Sequence, residues 1–232
     1  YFIFGAEFLK GSWVQKVFLG LALGTVFLGS MLAYLEKGLK KRLAYSTVSQ
    51  VSYILFGLLL LNPAGMTGAF LHVIFHAVIK SGLFLCAGAI IFRTGKTRVD
   101  ELRGIGKEMP VTIGCMTLLS LALIGIPPAS GFVSKWYLAV GSLSSETGFY
   151  SWLGPVVLLL SALLTAGYLL PITMKGFFPG EEESRKGFVR KEADSVMLVP
   201  ILLLAVLAVV LGMFPGGLIS LINNIAQQLF QM

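Results

Sequence analysis

The chain has 232 residues, of which 56% are hydrophobic and only 12% charged, with a net charge of +7 and a mean hydropathy of +0.86. Soluble domains carry about 25% charged residues, so there is too little polar surface here to coat a globule. A water-soluble enzyme or binding module, a nucleic-acid-binding domain and a disordered segment are excluded, and the chain reads as an all-α integral membrane protein.

A bilayer core of about 30 Å takes about 20 apolar helical residues. Residues 1–16 form an amino-terminal fragment that opens on Tyr1 without a basic stretch and small-residue cleavage site, so no signal peptide is visible and the chain is expected to be a piece of something longer. Six charge-poor runs then follow: Val17 to Leu35, Leu43 to Leu61, Met66 to Ile91 with Lys80, Val111 to Val140 with Lys135, Trp152 to Met174, and Val196 to Ile222. They predict six transmembrane helices, with residues 17–175 as a five-helix unit, 176–195 as a cytoplasmic loop and 196–232 as a last helix and tail. Gly20 and Gly24 in the first helix have the small-xxx-small spacing of closely approaching helices. Asn62-Pro63-Ala64-Gly65 predicts a tight turn that makes helices two and three antiparallel neighbours.

The basic residues test this division, because Lys and Arg concentrate in cytoplasmic loops. Loop one holds Lys37, Lys40, Lys41 and Arg42; loop three holds Arg93, Lys96, Arg98, Arg103 and Lys107; loop five holds Lys175, Arg185, Lys186, Arg190 and Lys191. Loops two and four hold none. The alternation places loops one, three and five inside and both ends outside. Loop five, with Glu181 to Glu183 and Arg185 to Lys191, is expected to be solvated. Cys86 and Cys115 lie in apolar runs and are expected to pack as small hydrophobes.

Lys80 shares the third helix with His72 and His76, the two histidines of the chain. At 100° per residue the three positions fall within about 80° of arc and climb about 12 Å along one face. A lysine at mid-bilayer costs about 2.5 to 3.5 kcal/mol on insertion scales, so such residues usually face a bundle interior or water. A row of ionisable groups bridged by water suits a proton relay, since imidazole takes a proton at one nitrogen and releases it at the other. Ser49 and Ser81 are candidate hydroxyls for the same wetted region. The competing reading is a structural polar seam of interhelical hydrogen bonds.

The fourth run contains Pro127 and Pro128, followed by Gly131, Ser134 and Lys135. Two consecutive prolines cannot sit in an unbroken helix, so the backbone must open there. Broken helices survive in membranes where the freed carbonyls are buried in protein or face water, and transporters build ion sites from them. Lys135 beside the break is the candidate loading site, because a lysine out of water can switch between ammonium and amine. No acidic residue falls inside a span, so the carboxylate partner of these lysines is expected from another helix bundle or subunit. The same absence disfavours a sodium or calcium site made by this chain alone.

Leu39 to Gln50, the His72-xxx-His76-xxx-Lys80 series, Leu102 to Lys107, and Gly125 through Lys135 resemble the antiporter-like membrane subunits shared by respiratory complex I, membrane-bound hydrogenases and multisubunit Na⁺/H⁺ antiporters. The resemblance implies one five-helix half of a 14-helix inverted-repeat fold, the fourth helix broken at Pro127-Pro128, plus the last helix of that fold. It implies that Lys135 is the broken-helix lysine of an outlet half-channel, that His72, His76 and Lys80 lie on the central polar axis, and that Lys40 stands near the inner mouth, although its loop position equally suits a topology signal. The family's first repeat, with its buried glutamate and lysine, is missing from this chain. The function implied is proton translocation in a redox-driven complex, with a secondary Na⁺/H⁺ antiporter subunit or a non-transporting scaffold as alternatives. No flavin, quinone, iron–sulfur or nucleotide motif is present in this chain. Flavin, iron–sulfur or nickel–iron centres are expected only in partner subunits. The partners implied are other membrane subunits including the missing repeat, the lipid bilayer and protons, with Na⁺ as the alternative ion and no nucleic acid. A prokaryotic cell membrane is the expected location, with an organellar inner membrane as the alternative.

Overall fold

The computed structural model describes residues 6–180 and 189–231. Glu181, Glu182, Glu183, Arg185 and Lys186, assigned above to a solvated loop, lie outside the described residues. The elements are α1 (Ala6–Leu9), α2 (Trp13–Leu35), α3 (Leu39–Leu59), α4 (Pro63–Thr94), α5 (Ile105–Glu108), α6 (Pro110–Ile124), α7 (Ser130–Leu143), α8 (Phe149–Phe177), α9 (Ser195–Met213) and α10 (Gly216–Gln231), with a 3₁₀ turn at Val99–Leu102. The described residues contain no strand, only an isolated bridge between Gly38 and Arg98.

Four helices, α2, α4, α8 and α9, are long and apolar enough to cross a membrane. Lys40, Lys41 and Arg42 and a run of hydroxyls make α3 more polar, and α6 and α7 are each too short. The run Val196 to Ile222, read above as one helix, is two: α9 ends at Met213 and α10 starts at Gly216. Pro215 has no N–H to continue the ladder and Gly216-Gly217 follow it, so the chain stops and restarts. Pro155 and Pro171 sit within α8, and Pro200 within α9, without ending either.

The remaining boundaries have local causes. The Asn62 side chain accepts from the Gly65 N–H at 2.7 Å and donates to the Gly141 carbonyl at 2.7 Å, with Pro63 at the first position of α4. That turn is tighter than a four-residue loop, because α4 starts at its second residue. Met109 offers α6 no cap, and Glu192 supplies one from across the fold. Its carboxylate accepts from the Val111 N–H at 2.8 Å, the Thr112 N–H at 3.4 Å and the Thr112 hydroxyl at 2.5 Å. Glu192→Ala is expected to cost about 1 kcal/mol. The check is amide hydrogen exchange at Val111 and Thr112, which should speed up while exchange in α2 stays unchanged.

Helix α4 is the centre of the molecule, packed against α3, α6, α7, α9 and α10. Its position explains how Leu71, Phe75, Ile79 and Leu83 are fully buried on the face next to His72, His76 and Lys80, while Val73, Ile74, Ala77, Ser81, Phe84 and Leu85 on the other face stay exposed. A second cluster joins α2, α3 and α8 through Leu19, Val26, Tyr53, Phe56 and Leu158. In lipid no hydrophobic drive pulls helices together, so close approach and interhelical hydrogen bonds must hold them. Such bonds average about 0.6 kcal/mol each. Ser30 Oγ lies 2.8 Å from Ser49 Oγ and 2.6 Å from Ser161 Oγ, tying α2, α3 and α8 with neutral hydroxyls. The close approach of α2 to α3 runs through Gly29, whose added Cβ would stand 2.8 Å from the Ser49 nitrogen. Gly20 faces Tyr150 instead, and nothing lies within 4 Å of a Cβ on Gly24, so the Gly20/Gly24 pair is not a helix seam.

Loops one, three and five meet at one end of the bundle. Leu39 N–H donates to the Thr97 carbonyl, Val99 N–H to Lys37, Gly104 N–H to Lys175 and Lys191 N–H to Glu108, each at 2.9–3.0 Å. There the Gly38 N–H donates to Glu36 at 2.7 Å and holds its carboxyl below the usual carboxylate range. Arg42, 8% exposed, donates to the carbonyls of Glu36 and Tyr168 and pins α3 to α8. The opposite end carries the α3–α4 turn and the segment joining α7 to α8, with Lys10 and Glu146 3.5 Å apart.

Candidate functional site

Because α3 and α4 run antiparallel, α3 presents Ser46, Gln50 and Tyr53 at helical spacing against Lys80, His76 and His72 of α4. All six are buried. The Lys80 ammonium donates to the Ser46 hydroxyl and, at 2.9 Å, to the Leu43 carbonyl. The rings of His76 and His72 stack with centroids 5.9 Å apart and planes 16° from parallel. His72 in turn stacks on Tyr53, centroids 5.4 Å apart, and its Nδ1 lies 2.9 Å from the Ser134 hydroxyl of α7. Tyr53 is fixed by donating to the Leu158 carbonyl of α8 at 3.0 Å.

The broken helix delivers the last group. Gly125, in the left-handed region at φ 92°, ends α6, and Ser130 starts α7, so the break covers Gly125 to Ala129. Pro127 and Pro128 are in it and exposed; Gly131 and Ser134 lie just beyond, in the first turns of α7. Gly131 has no Cβ because the Ala122 carbonyl occupies that place, which lets α7 fold back onto α6. A Cβ on Gly212 of α9 would likewise meet the backbone of Pro128 to Ser130, so α9 rests directly on the break.

Lys135 closes the file. Its ammonium donates to the carbonyls of Leu123 at 2.7 Å and Ile124 at 2.8 Å, two of the groups that the break frees. It also lies 5.4 Å from the centre of the Tyr53 ring, within reach of a cation–π attraction. Half-buried, it borders an apolar cleft of about 340 Å³ lined by Gly125, Phe132, Trp136 and Pro155. The order of groups is therefore Lys80 with Ser46, His76, His72 with Tyr53 and Ser134, and Lys135.

Among the described residues no ion pair involves Lys80 or Lys135. Within this chain the two ammonium groups are received by backbone carbonyls and a hydroxyl. At Lys135 these carbonyls belong to the negative end of the α6 dipole, which carries about half an elementary charge. No group of His, Cys, Asp and Glu among the described residues is arranged to hold a metal.

Other candidates stand apart. Lys40 is exposed in the first turn of α3, away from the file. Ser81 is exposed, and Ser49 faces α2 and α8, where it donates to the Val26 carbonyl at 2.8 Å. Neither hydroxyl serves the polar stripe; Ser46 meets Lys80 and Ser134 meets His72. Sequence reasoning missed Ser46, Gln50 and Tyr53 as a face, although their i, i+4, i+7 spacing puts them on one side of a helix as the i, i+4, i+8 spacing does for His72, His76 and Lys80. Cys86 and Cys115 are buried and free, as expected.

The family described as NADH:quinone oxidoreductase/Mrp antiporter, TM matches residues 2–165. The chain is 41% identical over 211 residues to NADH-quinone oxidoreductase subunit N of Desulforudis audaxviator, covering 86% of this chain and 41% of that protein. It is 31% identical over 238 residues to F(420)H(2) dehydrogenase subunit N of Methanosarcina mazei, covering 98% of this chain and 46% of the relative. Among solved structures it superposes with a TM-score of 0.83 and 25% identity on a chain of the Mrp complex from Dietzia sp., covering 96% of this chain and 48% of that one. A chain of respiratory complex I from Thermus thermophilus gives a TM-score of 0.82 at 26% identity, with 94% and 44% covered. The chain thus spans less than half the length of the relatives it matches. It belongs to the NADH:quinone oxidoreductase/Mrp antiporter family of transmembrane proteins.

Proposed function

We propose that this chain forms the outlet half of a proton channel in an antiporter-like subunit of a redox-driven, ion-pumping membrane complex. The observation that carries the reading is the file from buried Lys80 through His76 and His72 to half-buried Lys135, in which both lysines meet hydroxyl or carbonyl oxygens and, among the described residues, no carboxylate. Lys135 loads and releases the proton at the broken helix, and the histidines link it to Lys80 and onward to the first repeat. On this reading the chain crosses the membrane six times, by α2, α3, α4, α6 with α7, α8, and α9 with α10, as one five-helix repeat plus the last helix of the fold. The end where the basic loops meet is cytoplasmic, and Lys40 stands at its mouth. The membrane is that of a prokaryotic cell. Partner subunits supply the first repeat and any flavin, iron–sulfur or nickel–iron centre.

The likeness to the Mrp complex favours a second reading, Na⁺/H⁺ exchange without electron transfer. Inside-out vesicles carrying the assembled complex separate the two. The pump acidifies the vesicle interior when the electron donor is added, with Na⁺ absent. Proton movement driven by a Na⁺ gradient with no donor, and none with donor alone, would assign the exchanger. A scaffold moves protons under neither condition.

A further inference from the structure

We infer that Gln50 is a positioning residue for the proton path: its amide holds the water that links His76 to His72. The inference rests on the proton-conducting reading and deepens it. A ring N–H or lone pair lies in the plane of the imidazole. His72 and His76 have centroids 5.9 Å apart and planes 16° from parallel, and with His72 Nδ1 on Ser134 and both His72 Nε2 and His76 Nδ1 without a partner among the described residues, no hydrogen bond joins the two rings. A proton cannot pass directly between them; it must leave the edge of one ring, cross a third group and enter the edge of the next.

The polar atoms at this level identify that group. Gln50 is fully buried, and the spacing of α3 puts it between Ser46, which meets Lys80, and Tyr53, which stacks on His72. That is the level of His76. Both atoms of its amide, Oε1 and Nε2, have no hydrogen-bonding partner among the described residues, and neither do His76 Nδ1 and His72 Nε2. Buried polar groups in folded proteins are paired with protein or with ordered water. Four such atoms between one pair of helices make a site for water with acceptors and donors on both sides. The amide does not titrate in the working range. It therefore orients water without competing for the proton, which a carboxylate at the same place would bind between the histidines.

The test uses the full-length protein in its assembled complex in vesicles, comparing Gln50→Met, which keeps volume but loses both polar atoms, with Gln50→Asn, which keeps them and leaves room for one more water. Protons moved per electron transferred are expected to fall about tenfold or more for Gln50→Met, and to stay near the parent value for Gln50→Asn. A packing role gives the reverse order, because Met fills the site and Asn does not. Parent-like pumping by Gln50→Met, or a fall for Gln50→Asn as large as that for Gln50→Met, overturns the inference. Lys135→Ala run beside them keeps the two ideas apart. If it pumps normally, the proton-conducting reading fails; if it stops while Gln50→Met pumps, only the role of Gln50 fails.

Discussion

Lys135→Ala is expected to lower proton translocation by about a hundredfold or more while the complex still assembles and transfers electrons, the scale of losing a positioned acid–base group. The reason is local. Among the described residues, the ammonium is the group that meets both the carbonyls of Leu123 and Ile124 and the Tyr53 ring that stacks on His72. Removing it leaves two carbonyls without a donor, at about 1–3 kcal/mol each where water does not replace it. The adjoining cleft is lined by Ile124 itself, so solvent or lipid headgroup donors can reach that side. Lys135→Arg sharpens the experiment, since a guanidinium keeps the charge and the donors but never gives up its proton. Arginine is expected to fail as alanine does. An arginine variant that pumps at the parent rate would show that a fixed charge suffices, and the loading role of Lys135 would fall. The measurement is dye-reported acidification of vesicles, normalised to electron transfer.

The largest effect on stability is expected at Gly131. An added methyl group would occupy the place of the Ala122 carbonyl, which is backbone and cannot rotate away, so α7 must lift off α6. Overpacking of this kind costs about 1–3 kcal/mol, a large fraction of a net stability of about 5–15 kcal/mol. Gly24→Ala is the matched control, because nothing lies within 4 Å of its Cβ and alanine favours a helix by about 1 kcal/mol. Thermal unfolding in detergent should show Gly131→Ala melting several degrees below the parent and Gly24→Ala no lower than it. Equal midpoints for the two variants would refute the close packing at the break.

The contrast between these glycines shows what was legible in the sequence. Helix positions followed from charge-poor length, and the polar stripe from four-residue spacing, because both are properties of one helix. The Pro127-Pro128 break followed from missing N–H groups. Gly20, Gly24 and Gly29 look alike in sequence, and only the course of α3 makes Gly29 the contact. Pro200 and Pro215 are equally ambiguous: α9 runs through the first and ends before the second, where two glycines withdraw helix propensity. Ser46 and Ser49 are three residues apart and face different neighbours, which depends on where α4 and α8 pack. The partners of the lysines were least visible. Every residue has a carbonyl, so nothing in the sequence marks those of Leu43, Leu123 and Ile124 as receptors for an ammonium.

That choice of receptor has an electrical consequence. On the proposed function, a carboxylate facing Lys135 would be left as an orphan anion at the edge of an apolar cleft each time the amine gave up its proton. Peptide oxygens carry dipoles and no net charge, so they solvate the cation when it is there and strand nothing when it is gone. The swing between the two states is confined to a single elementary charge, and its compensation can be supplied from outside this half of the protein.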